Sequence, residues 1–357
     1  SLGEQKDSMG GCTSSPPSRM DIDRKLLVAA GWGDLKVVKE MLEQGARVEI
    51  KNIHGETAMI FSARYGHREV VRYLVEHGKA RVETRDNEGR MALINAAANG
   101  HLDVVKYLIE NAKANVMARD WRGSTPLTYS SAHGHLDLVK YLIEEAKAKV
   151  DATNCYAVTA LNSGVENGHL GVVRYLVEEA KSQVESRERR RNGETPLIQA
   201  ARLGNLEMVE YLIEEAKANV EAKTEEGWTP LFLAADEGHL EVVQYLVEHA
   251  KVNVKAKDVF GWTALDRARM VPKSVFSLNV ADYLSEIQEK FMVKVAKALQ
   301  RDLWFLRRLH PKVLCYINGK LLPAVQDGSS MVTVSNGRNI VKGTGLCCGC
   351  RGGDRMA

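Results

Sequence analysis

Residues Gly227–Glu248 read GWTPLFLAADEGHLEVVQYLVE, and this string returns along the chain at a fixed period. Its opening, Gly-x-Thr-[Pro/Ala]-[Leu/Met], also appears as Gly55-Glu-Thr-Ala-Met, Gly123-Ser-Thr-Pro-Leu, Gly193-Glu-Thr-Pro-Leu and Gly261-Trp-Thr-Ala-Leu. Weaker copies start at Gly89 and Ala157, so that successive starts are 34, 34, 34, 36, 34 and 34 residues apart. Eleven residues after each of the first six starts stands Gly66-His, Gly100-His, Gly134-His, Gly168-His, Gly204-Asn or Gly238-His. A block such as Val104-Val-Lys-Tyr-Leu-Ile-Glu110 follows. Self-similarity at such a period marks a solenoid, in which each unit buries its apolar face only against its neighbours.

Each part of the unit has a physical reading. Thr-Pro is a helix start: the hydroxyl satisfies a free backbone donor and proline is pre-set for the first helical position. The alanine pairs Ala96-Ala97, Ala200-Ala201 and Ala234-Ala235 leave room for a close helix neighbour. Glycine then ends the first helix in a left-handed turn. Val-Val-x-Tyr-Leu-[Val/Ile] has helical spacing and predicts a second helix. The segment after it, such as Ala218–Lys223, is polar around one valine expected to be buried, and predicts an extended finger.

These motifs resemble the ankyrin-repeat family over about residues 20–288, because the same pattern recurs in phase. The resemblance implies an all-α repeat solenoid of eight helix-turn-helix units with β-hairpin fingers. The first unit is a degenerate cap at Met20–Lys51. The eighth starts at Gly261, is interrupted at Val271-Pro-Lys273 and resumes near Val280–Leu284. Most units exceed the family's usual 33 residues by one, where Glu-Ala-Lys-Ala-Asn-Val stands for Gly-Ala-Asp-Val. Unit five departs furthest. It has Ala157 for the opening glycine, Gly164-Val165 for the alanine pair and two extra residues within Arg187-Glu-Arg-Arg-Arg191. That defect reads either as a local hinge or as a tolerated surface insertion.

The family binds partners through a concave surface, with contact positions in the fingers and along the first helices. Carried over here, the finger positions include His54, Glu56, Trp121, Arg122, Tyr156, Arg191, Trp228, Phe260 and Trp262. The groove positions include Arg64, Tyr65, His133, Glu166, Arg202, Asp236 and Glu237. Aromatic and arginine side chains are the usual anchors of interfaces. Trp228 and Trp262 follow the glycine, where packing on a neighbouring finger is an equal reading, whereas Trp121 precedes it. Trp121, Arg122 and Tyr156 therefore form the preferred patch. The resemblance predicts an interaction scaffold or adaptor that binds a partner protein. The alternative is a regulatory or targeting subunit of a kinase, phosphatase or ubiquitin ligase.

The chain shows no phosphate-loop, dinucleotide, nucleophile-elbow or HExxH pattern, so we expect neither catalytic residues nor a cofactor. His101, His135, His169 and His239 recur with the repeat and are expected to hold the turn between its helices. His133 and His135 lack the further ligands of a metal site. Cys347, Cys348 and Cys350 contain one CxxC without a second pair, so no metal is expected.

The flanks read differently. Residues 1–19 contain Met9-Gly10-Gly11-Cys12-Thr13-Ser14, an N-myristoylation pattern at Gly10 with a palmitoylation candidate at Cys12, if Met9 is an initiator. A chance match in an unstructured tail is the competing reading. Residues 286–309 repeat apolar residues at Ile287, Phe291, Val295, Leu299, Leu303 and Leu306, with Lys290, Lys294, Lys297, Arg301, Arg307 and Arg308 opposite. This predicts a basic amphipathic helix, placed at 289–310, that either caps the array or meets an anionic membrane or a calmodulin-type partner. Asn318-Gly319 and Asn336-Gly337 predict hairpins within 311–342, and 343–357 is expected to be a disordered Cys/Gly tail. From residue 272 on there are 13 basic against 6 acidic residues, and 36 against 40 before it. That balance gives no reason to expect nucleic acid. No apolar run approaches a membrane span, and the first twenty residues lack a signal-peptide core. Six cysteines, four of them in the tails, do not form a disulfide framework. The expected location is cytoplasmic, with membrane attachment through the acylation pattern.

Overall fold

The computed structural model of the chain describes residues 18–270, 275–309, 316–317 and 320–321. In chain order the helices are α1 (Arg19–Trp32), α2 (Leu35–Glu43), α3 (Ala58–Arg64), α4 (Arg68–Glu76), α5 (Ala92–Ala98), α6 (Leu102–Glu110), α7 (Pro126–Ala132) and α8 (Leu136–Glu144). They continue as α9 (Ala160–Glu166), α10 (Leu170–Glu178), α11 (Pro196–Leu203), α12 (Leu206–Glu214), α13 (Pro230–Glu237), α14 (Leu240–Glu248), α15 (Ala264–Met270) and α16 (Val275–Leu309). Odd-numbered first helices pack in one row, α1 on α3 and so on to α13 on α15. The second helices form another row, as in α2 on α4 on α6. This is the helical repeat solenoid that the period predicts.

The local chemistry does what the motif requires. Thr125 Oγ1 accepts from the Thr128 backbone N–H, with Pro126 at the first position of α7. Thr195 and Thr229 cap α11 and α13 in the same way. Ser18 and Asp21 form a capping box that starts α1. The core lies between the two rows. Val104, Val105 and Leu108 of α6 face Ala96 and Ala97 of α5, and all five are fully buried. Burying each such Val or Leu contributes roughly 1.5–3 kcal/mol.

Three details differ from expectation. The fingers are turns rather than strand ladders; among the described residues of the array the sole β-bridge is Glu188 to Glu194. The finger is anchored by alanines, Ala218 and Ala222, while Val220 is only half-buried. The extra residue of each 34-residue unit is a lysine in the left-handed region: Lys79, Lys113, Lys147, Lys181, Lys217 and Lys251 all have φ of 54–58°. It follows the second helix, and in Lys113, Lys147, Lys181, Lys217 and Lys251 the ammonium folds back onto the last-turn carbonyl, as Lys113 Nζ does on Glu110 O at 2.6 Å. The helix thus gains a closed end without a glycine.

The chain divides into two compact units, Ser1–Ala281 and Asp282–Ala357. One helix, α16, runs through the residues that the sequence reading divides between the last repeat and a separate basic helix. Val280, Ala281 and Leu284 on it are buried. In the second unit, β1 (Tyr316–Ile317) pairs antiparallel with β2 (Lys320–Leu321), on either side of Asn318-Gly319. Gly10, Cys12, the hairpin expected around Asn336-Gly337 and the Cys347–Cys350 segment lie outside the described residues. Among the described residues no helix is long and apolar enough to cross a membrane.

Candidate protein-binding surface

The first-helix and finger side of the array is held by bonds that step from one repeat to the next. His67, His101, His135, His169 and His239 each place Nε2 2.8–3.1 Å from a carbonyl of the preceding repeat: Gly31, Arg64, Ala98, Ala132 and Arg202. The expectation that these imidazoles secure their own turn is corrected: they join neighbouring repeats. Gly66, Gly100 and Gly134, each before a histidine, leave room for the ring of the next repeat. A Cβ on Gly134 would lie 2.6 Å from His169 Nδ1. Burial, opposed by the bond to Ala98, holds His135 below the ordinary histidine range, with His133, His101 and His169 adding to the depression.

The fingers are tied as well. Trp121 N–H donates to Glu88 O, Cys155 N–H to Arg122 O, Arg189 N–H to Tyr156 O and Glu225 N–H to Asn192 O. Arg85, Arg119 and Arg187 each donate both to a carbonyl in their own finger and to one in the next. At Asn52, Asp86, Asp120, Asn154, Thr224 and Asp258 a short polar side chain closes the turn, as where Asp120 Oδ1 accepts from the Arg122 and Ser124 amides. Tip residues from successive repeats are thereby set side by side before any partner arrives.

The sequence-derived contact residues separate into two groups. Arg64 is paired with buried Glu56 at 2.7 Å, Arg202 with Glu194 at 3.2 Å, and Asp236 with Arg267 at 2.6 Å. Burial pushes the Glu194 carboxyl up, against the pull of Arg202. Arg191 bridges to Glu166 at 2.5 Å. Trp228 is half-buried, stacks on Phe232 at 5.7 Å and packs on the Ile198, Ala222 and Leu233 cluster. Trp262 is half-buried. In contrast Trp121, Arg122, Tyr156, Phe260 and Tyr65 are exposed. Trp121 spends one part of its ring over Gly89 and beside the Arg85 guanidinium, 4.9 Å away, yet stays 66% exposed.

Arg122 and Tyr156 share a cavity of about 160 Å³ at the junction of repeats four and five. Ser124, Thr128, Tyr129, Asn154, Glu166 and Arg190 line it with them. Tyr129 donates its hydroxyl to Asp120 at 2.8 Å, and burial together with that bond raises its pKa far above the ordinary tyrosine value. Arg190 is aimed by buried Glu188 at 2.9 Å and Glu166 at 3.5 Å, and its guanidinium lies 5.8 Å from the Tyr156 ring centre. Arg190 belongs to the insertion of unit five, which is a short 3₁₀ turn at Arg189–Arg191. The sequence reading named that insertion as a defect and did not place Arg190 beside Tyr156. The signal available was its position one repeat beyond Tyr156. Among the described residues no group of three or more His, Cys, Asp or Glu is placed to hold a metal ion.

A family model described as ankyrin repeats (3 copies) matches residues 26–120, 113–188, 181–258 and 218–288. The chain is similar to the eye-specific diacylglycerol kinase of Drosophila melanogaster, 38% identical over 50 residues, which is 14% of this chain and 3% of that protein. It is also similar to a probable E3 ubiquitin-protein ligase of Oryza sativa subsp. japonica, 41% identical over 54 residues, 15% of this chain and 10% of that one. The match thus spans a tenth or less of the length of these relatives.

Proposed function

This chain belongs to the ankyrin-repeat family, and from that premise we propose that it is an adaptor that holds a partner protein at the junction of repeats four and five. Ankyrin repeats support a role in protein–protein interaction. The observation that supports the finer reading is the joint exposure of Trp121, Arg122 and Tyr156 on fingers tied tip to tip, with Arg122 and Tyr156 lining one cavity. A surface fixed in advance loses little conformational entropy on association. In this reading the mechanism is binding rather than turnover.

The test is a quantitative affinity capture from source-cell lysate. Wild type is compared with the triple variant Trp121→Ala, Arg122→Ala, Tyr156→Ala, matched for thermal stability. A protein enriched by wild type and lost with the variant supports the reading. Identical capture by both refutes it.

The second reading concerns location. Gly10 and Cys12 offer a two-chain membrane anchor, and one acyl chain alone holds only marginally. A tethered adaptor incorporates labelled myristate at Gly10 and loses the label in Gly10→Ala; absence of label in wild type, with Met9 as the start, rejects it. A regulatory or targeting subunit of a signalling enzyme is the same binding activity with an enzyme as partner, and the captured protein decides it.

A further inference from the structure

We propose that the cavity between repeats four and five receives an acidic side chain, aspartate or glutamate, of an extended segment of the partner; this rests on the binding site proposed above.

Most of the cavity's polar groups are already committed within the protein. The Tyr129 hydroxyl donates to Asp120, Ser163 Oγ to the Thr159 carbonyl at 3.1 Å, and Thr128 Oγ1 pairs with Thr125 Oγ1 at 3.0 Å. Asn154 spends its carbonyl on the Tyr156 and Val158 amides and one N–H on Ser124 Oγ. Glu166, the acidic group of the lining, already accepts from Arg190 and Arg191.

Apart from the second oxygen of Glu166, the uncommitted groups are able to donate. Among the described residues the Arg122 guanidinium has no hydrogen bond or ion pair, and neither the Tyr156 nor the Ser124 hydroxyl donates to a protein acceptor. Arg190 adds a second guanidinium to the lining, held by Glu188 and Glu166, which offset its charge. Asp120 lies behind Tyr129, buried, with both oxygens occupied by Tyr129 and by backbone amides. The cavity therefore offers spare donors, foremost the unpaired Arg122 guanidinium, to a ligand that must be rich in acceptors. A carboxylate fits, since arginine matches its two oxygens in one plane.

Tyr156 lines the cavity with a partly exposed ring, and Trp121, next to Arg122 in the chain, adds exposed aromatic surface outside the lining. Those rings suit the apolar neighbours of an acidic residue in an extended chain, and the arginines suit the residue itself.

The experiment displays a library of random short peptides to the full chain. Enriched peptides are then measured by fluorescence anisotropy against wild type, Arg122→Gln, Arg122→Glu and Tyr156→Phe. The expected result is enrichment of Asp or Glu at one position. Affinity falls about tenfold or more in Arg122→Gln, as for loss of a charged hydrogen bond, and falls with rising salt. In Arg122→Glu, a peptide with Lys at that position regains affinity. The Arg122 side chain supports no other described residue, so these variants keep wild-type thermal stability.

Enrichment without acidic residues, acidic peptides indifferent to residue 122, or no enrichment overturns the inference. A phosphoserine peptide bound in preference to its Glu counterpart does so too, because the ligand is then a phosphate. The lysate capture remains a separate readout: partner loss in the triple variant alongside a failed acidic selection leaves the binding site standing and removes only its proposed ligand.

Discussion

At the scale of single residues, the glycine before each histidine has two duties that can be separated. Gly134 and Gly168 both hold positive φ, 76° and 74°. A Cβ on Gly134 meets His169 Nδ1 at 2.6 Å, whereas one on Gly168 meets Asn205 Nδ2 at 3.3 Å. Both alanine variants carry the left-handed backbone cost of roughly 1–2 kcal/mol, and Gly134→Ala adds a clash with a ring held by packing. Urea unfolding is expected to rank Gly134→Ala clearly below Gly168→Ala; equal losses would show that the histidine ring yields freely. The histidines also carry a pH prediction. His135 has its folded-state pKa lowered, first by burial. The unfolded chain, with an ordinary value near 6.5, therefore takes up a proton more readily than the folded one. Above that value both states are neutral at this site and it contributes no pH dependence. As pH falls through about 6.5 toward the lower folded value, the unfolded state gains a proton that the folded state refuses, and stability is lost. Tm is expected to fall between about pH 7 and about pH 5, less steeply in His135→Asn, which borrows the residue that the chain uses at position 205. Parallel slopes would remove His135 from the effect.

At the scale of elements, the finger of unit five shows how an irregular segment can be fixed. The Arg189–Arg191 turn is held by Glu188, a buried carboxylate that accepts from Arg190 Nε at 2.9 Å and from Gln199 Nε2 at 3.3 Å. Removing it leaves Arg190 and Gln199 short of an acceptor, so Glu188→Ala is expected to cost about 1–3 kcal/mol. Arg122→Ala, in the lining that Arg122 shares with Arg190 and without a partner, should stay within about 0.5 kcal/mol. Chemical denaturation of the two variants checks the contrast, and similar losses would contradict this division between support and free surface. The same element marks the limit of sequence reading. Helix starts at Thr-Pro, turns at Gly-His and the burial of Val-Val-x-x-Leu were legible because each is a local rule repeated in phase. The left-handed lysines were not, because lysine carries no signal for positive φ; only the 34-residue period hinted at an extra closing residue. Nor was the fate of Arg64, Arg191 and Arg202, since their carboxylate partners sit 8 or 25 residues away, at distances set by the fold. The exposure of Trp121, Arg122 and Tyr156 was legible because they stand at the fingertips, outside the helices.

At the scale of the array, the decisive property is that repeats touch only their neighbours. The first helices pack on adjacent first helices, and every histidine, arginine and fingertip tie described above spans a single junction. Stability of such a stack approximates a sum of unit and nearest-junction contributions, so damage stays near its origin until enough junctions fail. Leu142, fully buried in α8, contacts the core of repeat four. Leu142→Ala is expected to cost about 2–5 kcal/mol through lost burial and the cavity left behind. In a nearest-neighbour array that loss should appear in hydrogen exchange as weakened protection of α7 to α10, with α1 to α4 retaining theirs at moderate destabilisation. The junction of repeats four and five lies inside the weakened stretch, so the same variant should lose partner capture although no residue of the cavity wall has changed. A uniform fall in protection from α1 to α14 would mean that the array opens as one cooperative body. The cavity's shape would then depend on every repeat rather than on the two that build it.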